Sequence, residues 1–255
     1  MAREAVVYVH GLWSSRVDSV LLRRRLANAL GCEVWMFSYP SISSPMTEVI
    51  ERLHRFLGER RERIAAPRSV RSSGPDSVAG AAAAAAAAAG PIERLHFVGH
   101  SLGGLVIYRF LERHGDQPPG RVVFLGTPAV GCCAAVGLSR LPLLNPFVGR
   151  CVSEELLVAR ERRWSNSREL GIIAGTRRLG LGQLVARLEG ENDGTIAVSE
   201  TRLPGASDAI TVPATHMGLL VSARTARETA TFLRDGHFSL SPRPSAPAMR
   251  SARSS

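Results

Sequence analysis

Residues 97–104, Phe-Val-Gly-His-Ser-Leu-Gly-Gly, decide how this 255-residue chain is read. A β-branched and aromatic run, Arg94 to Val98, leads into them, and Leu102 to Arg113 leaves them with apolar residues at helical spacing. In a chain with 24 glycines a G-x-S-x-G pentapeptide can arise by chance, but chance would not also place it at a strand-to-helix turn. Such a turn strains the serine backbone and folds the chain so tightly that side chains two residues either side would collide, a constraint met by Gly99 and Gly103. It presents the Ser101 hydroxyl at the carboxyl edge of a sheet, against the positive end of a helix.

Outward from this turn, strand-like runs recur at Ala5 to Val9, Glu33 to Phe37, Arg121 to Leu125, Leu170 to Ala174 and Asp208 to Val212. Helical spacing occupies Arg16 to Leu30, Met46 to Ile64 and Ser222 to Arg234, as with Val49, Leu53, Phe56 and Leu57. Alternating β and α units with near-continuous apolar strands imply an α/β chain with a parallel six-stranded sheet and helices on both faces. One domain over 1–238 suits the length. Two stretches fall outside the pattern: 66–91, which carries nine consecutive alanines and reads as a low-complexity surface insertion, and the Ser-, Pro- and Arg-rich tail 239–255, which reads as disordered.

Composition narrows the function classes. With 45% hydrophobic and 21% charged residues the chain can bury a sizeable core. Its net charge of +10 comes entirely from arginine, since there is no lysine, and the arginines are scattered without interleaved aromatics, which argues against nucleic acid as a partner. Four cysteines, Cys32, Cys132, Cys133 and Cys151, form no CxxC pair and have no histidines at metal spacing, so they read as free thiols in a reducing compartment with no metal site. The start, MAREAVVYVHG, enters a strand directly without the pattern of a signal peptide, and no segment reads as a membrane span, which makes cytoplasmic residence the expectation.

A serine hydroxyl is a weak nucleophile and needs a base, which in turn needs a group to fix its tautomer. In the chain order that belongs to this turn, an acid and then a histidine follow the serine. Of the later histidines, His114 lies on the turn's own helix about three turns away, and His237 borders the tail. His216, just beyond the last strand, is the candidate base. Asp193, in Glu191-Asn192-Asp193-Gly194-Thr195, is the candidate acid because Asp-Gly marks a turn that can hold a carboxylate, with Glu191 and Asp208 in reserve. Negative charge on a reacting carbonyl oxygen calls for two backbone N–H donors, and Leu102 and Leu12 are placed to supply them. His10, in His10-Gly11-Leu12-Trp13, reads as a packed loop histidine.

VHGLW, GHSLGG, FLGTP, NDGTI and THMGLL, spread over residues 6–220, resemble the α/β-hydrolase superfamily in its own motif order, and more narrowly its small bacterial serine lipases and esterases. The resemblance implies Ser101 as nucleophile, Asp193 as acid, His216 as base and Leu12 with Leu102 as oxyanion donors, with no cofactor. It also implies a mostly parallel sheet of order 2-1-3-4-5-6 and makes 131–164 a small cap over Ser101, the bland alternative being a helical excursion packed on the core. The activity that follows is hydrolysis of a small-molecule carboxylic ester or lipid through an acyl-enzyme. An acyltransferase with the same three residues, and a catalytically idle binding module on the same fold, are the alternatives. Ester identity and oligomeric state are not readable from the sequence.

Overall fold

A computed structural model describes residues 3–14, 17–65, 91–139, 149–157, 161–180, 182–185 and 188–241. Its strands are β1 (Glu4–Val9), β2 (Glu33–Phe37), β3 (Arg94–His100), β4 (Val122–Leu125), β5 (Leu170–Gly175) and β6 (Asp208–Val212). They form one sheet of order β2-β1-β3-β4-β5-β6 in which every neighbouring pair is parallel. Strand order, direction and strand count therefore match the expected α/β-hydrolase architecture.

Side chains alternate across the pleat, so β1 sends Ala5, Val7 and Val9 into one core and Val6 and Tyr8 into the other. The first core is covered by α2 (Met46–Ala65) and α3 (Leu102–Arg113), the second by α1 (Val20–Leu30) and α9 (Ala223–Asp235). Strands buried on both faces must be apolar at nearly every position, which is why they are conspicuous in the sequence. From β1 the chain passes to β2 on one side and then returns to β3 on the other. This reversal opens a crevice at the carboxyl ends of β1 and β3, the usual ligand position in such sheets.

Boundaries differ from the sequence reading in instructive ways. The first helix begins at Val20 instead of Arg16, because Val17 to Ser19 form a turn in which the Val20 N–H donates to Val17 O at 3.1 Å. Asp18 and Ser19 belong to the residue types that favour helix entrances over interiors. The last helix is capped by Ser222, whose hydroxyl accepts from the Thr225 N–H at 3.2 Å, and ends at Gly236 with a positive φ of 83°. Among the described residues five short helices carry the loops: α4 (Cys133–Ser139), α5 (Arg150–Glu155), α6 (Gly182–Val185), α7 (Val198–Thr201) and α8 (Gly218–Val221).

The low-complexity stretch at 66–91 lies outside the described residues except for Pro91, as do 140–148 and 158–160 within the expected cap. Of the expected tail, 239–241 are described and are held in place. The Ser239 N–H donates to the buried Glu228 carboxylate at 2.9 Å and the Ser241 hydroxyl to Asp208 at 2.6 Å. Residues 242–255 lie outside the described residues. All four cysteines are free thiols.

Phe232 anchors α9. Its ring is fully buried, packs 4.8 Å from that of Phe238, and covers Gly171 of β5, where an added Cβ would come within 2.8 Å of it. Phe232→Ala should therefore cost about 3–5 kcal/mol of folding stability, measured by urea unfolding.

Candidate active site

Ser101 sits at φ 54° and ψ −126°, a conformation side chains rarely adopt, directly between β3 and α3. β3 reaches the serine without a gap: it runs two residues past Val98, with Gly99 and His100 paired to Phe124 and Leu125 of β4. The Ser101 N–H donates to Leu125 O at 2.9 Å, tying the turn to β4. A Cβ on Gly99 would lie 2.5 Å from Gly104 Cα, the collision expected from the turn itself. Gly103 is required for another reason, since its Cβ would drive into the backbone of Val9 at the end of β1.

The loop after β1 lies over the serine. A Cβ on Gly11 would approach Ser101 Cβ to 2.8 Å. His10 is buried and locked: its Nδ1–H donates to Gly11 O at 2.8 Å, its Nε2 accepts from the Tyr39 N–H at 3.2 Å, and its ring stacks on Tyr39 at 4.5 Å. With Gly11 O held toward His10, the trans peptide points the Leu12 N–H the opposite way. Leu102 is the first residue of α3, so its N–H has no intrahelical carbonyl to bond.

Asp193 and His216 meet. His216 Nδ1 is 2.7 Å from Asp193 Oδ2, and because a carboxylate only accepts, Nδ1 carries the hydrogen of this bond and leaves the Nε2 lone pair for another group. The other Asp193 oxygen accepts from the Thr195 and Ile196 N–H groups at 2.9 and 2.7 Å, and the His216 N–H donates to Asp193 O at 2.9 Å. Asp193 is buried at the end of β5, where a Cβ on Gly175 would come within 2.7 Å of its own. The rival residues lie elsewhere. Glu191 is exposed, Asp208 accepts from the Phe238 N–H at the start of β6, His114 stacks on His54, and His237 lies beyond α9.

Ser101 and His216 line one cavity of about 820 Å³, within the range of small-molecule sites, while Asp193 stands behind the histidine. Its walls are apolar: Leu12 and Pro128 near the serine, Ala135 and Leu138 from α4, Val152 from α5, and Leu156 just beyond it. Among the described residues no hydrogen bond closes the gap between the Ser101 hydroxyl and His216. Catalytic contacts of this kind are often loose before substrate arrives. Among the described residues no group of three His, Cys, Asp or Glu side chains is arranged to hold a metal ion.

His100 was not singled out from the sequence. Its Nε2–H donates to the His216 carbonyl at 3.1 Å, and the two rings lie 4.7 Å apart. The partner is 116 residues away in the chain, so local sequence offers no signal beyond the variable position of G-x-S-x-G. Glu155 was missed as well. It accepts from Arg109 of α3 at 3.0 Å and from Arg162 at 2.8 Å, binding α5 to the helix that follows the serine.

With this geometry in hand, a family match settles the lineage: the profile described as "Alpha/beta hydrolase family" matches residues 6–249. The chain belongs to the alpha/beta hydrolase family. Solved structures similar to it include the mature Bacillus licheniformis lipase BlEst2, at 18% identity and a TM-score of 0.61, covering 91% of each chain. A metagenomic carboxyl esterase, MGS0156, is 14% identical with a TM-score of 0.55, over 85% of this chain and 65% of its own. RedJ, a thioesterase from the prodiginine biosynthetic pathway of Streptomyces coelicolor, is 13% identical with a TM-score of 0.51, over 91% of this chain and 84% of its own. At these identities the likeness is one of fold. A search of curated protein sequences returned no match.

Burial keeps several histidines of this hydrolase neutral. It pulls His100 down to about 3, helped by the neighbouring His216, and His96 down to about 4, helped by Arg121, Arg94 and Arg168; His10 is lowered by burial too. Below an ordinary value of 6.5 the unfolded chain binds protons at these sites that the folded chain refuses, so stability falls as pH drops from 6.5 toward 4. The loss is about 1.4 kcal/mol per pH unit for each of His96 and His100. His96→Gln, which retains an acceptor for the Arg121 N–H that His96 Nδ1 binds at 3.0 Å, should reduce this slope by one proton in denaturant titrations run across that range.

Proposed function

We propose that this chain is a serine hydrolase that cleaves carboxylic esters with a hydrophobic acyl or alcohol part through an acyl-enzyme intermediate. One observation carries the reading. Ser101 and His216 share an apolar cavity while the buried Asp193 carboxylate holds the imidazole with its free nitrogen available. In this reading His216 Nε2 takes the Ser101 proton as Oγ attacks the ester carbonyl, and Asp193 steadies the protonated ring. The Leu12 and Leu102 N–H groups stabilise the oxyanion, His216 returns the proton to the leaving alcohol, and water then hydrolyses the acyl-enzyme. No step calls for a cofactor. Within the expected cap at 131–164, α4 and α5 act as its covering part, since both furnish cavity wall. Among the described residues no helix is long and apolar enough to cross a membrane, and the four free thiols support a reducing, cytoplasmic location.

Ser101→Ala should lower turnover of a p-nitrophenyl ester by a factor on the order of 10⁶, and Asp193→Asn by about 10⁴. Wild-type activity in either variant overturns the assignment of that residue. A panel of esters of increasing acyl length, with thioesters included because RedJ is a thioesterase, then reads the substrate class. A preference for longer chains is expected from the apolar walls, and a strict preference for acetyl esters contradicts it.

A further inference from the structure

Large apolar side chains exposed to solvent are common singly but informative when they gather. Ten are exposed among the described residues, three of them on the wall of the Ser101 cavity and others close to its lining residues in the chain. Trp13, Leu179 and Met217 form its rim, being cavity-lining residues that are also 51%, 77% and 47% exposed. Met217 caps α8 and Val221 ends it, four residues apart and so on one face. α8 packs against α1, where Arg25 donates to the Val221 carbonyl at 2.5 Å, and this brings the exposed Val17, Val20 and Leu21 alongside. On the other side Ile42 follows Ser41, whose hydroxyl accepts from the Trp13 N–H, and Val130 sits between the cavity residues Pro128 and Cys132.

Cations stand beside several of these residues. Exposed Arg24 neighbours Val20 and Leu21 on α1, Arg224 follows Val221, Arg177 precedes Leu179, and the Arg150 N–H donates to Ile42 O. Among the described residues none of these four arginines has a carboxylate within ion-pairing distance. An apolar surface flanked by unpaired cations complements one kind of surface in both respects: acyl chains beneath negatively charged headgroups. We propose that this rim docks the protein on an anionic lipid surface with the mouth of the Ser101 cavity facing the lipid.

The proposal goes beyond the chemistry at Ser101 and is tested by binding alone. Full-length Ser101→Ala protein is sedimented with phosphatidylcholine vesicles made with and without phosphatidylglycerol, at low and high salt. Binding to the anionic vesicles that weakens with salt, and little binding to the neutral ones, is expected. Adding Val20→Glu and Val221→Glu, neither of which lines the cavity, should reduce that binding by about tenfold or more. In the Ser101-containing protein the same two changes should leave hydrolysis of a water-soluble short ester unaltered, which shows that the fold is intact. Equal binding of the two proteins, equal binding to neutral and anionic vesicles, or no vesicle binding overturns the proposal. So does a dimer in sedimentation velocity that the glutamates dissolve, which assigns the rim to a second copy of the chain. Failure of the proposed hydrolysis leaves the vesicle result readable, and the reverse holds as well.

Discussion

The positive φ of Ser101 is the constraint from which the site is built. A side chain held in that conformation costs of order 1–3 kcal/mol and persists only where the surroundings over-determine it. Here the Ser101 N–H is committed to β4, Gly99 is flattened against α3, and Gly103 is pressed on the backbone of β1. Three strands thus fix one residue. The same contacts bring Gly11, and with it the loop bearing Leu12, over the serine. Strain at one residue and close approach of two chain segments are a single arrangement: relaxing the backbone at Ser101 would separate the loops that make the cavity.

Polar groups behind the cavity are satisfied in ways that fix position more than charge. Burial pulls the His100 pKa down to about 3, so near neutral pH it serves as an uncharged donor to the backbone of the His216 loop. Asp193 divides its oxygens between two backbone N–H groups and the imidazole, leaving it no freedom to rotate away. The buried Glu155 is held between two arginines, one of them on α3. Removing one partner of such a cluster leaves uncompensated charge in the interior, so α5 and the wall it contributes stay registered to the helix that begins at the serine.

The sheet was legible because its central strands are buried on both faces and so carry unbroken apolar runs. β3 was read two residues short, since Gly99 carries no strand signal although its backbone is fully paired. The short helices that wall the cavity, α4, α5 and α6, span four to seven residues each and are too short for periodicity to register. Asp193 and His216 could be named from chain order and turn chemistry, and the structure brings them together. His100, Tyr39 and Glu155 could not, because their partners are distant in sequence and the contacts exist only once the sheet has assembled.

Asp193 follows β5 by a long stretch, Thr176 to Asn192, that includes α6. The position of the acid is fixed by its surroundings. It is set locally, by the bonds from Thr195 and Ile196 and by the fit against Gly175. The stretch nevertheless presses on the turn that follows the acid: a Cβ on Gly180 would come within 2.7 Å of Gly194 O and one on Gly182 within 2.6 Å of Thr195 Cα, and both glycines border the cavity, as does Leu179. A bulkier residue at Gly180 or Gly182 would therefore do two things at once, narrowing what the pocket admits and disturbing the turn that carries the carboxylate, so selectivity and alignment are coupled through one loop.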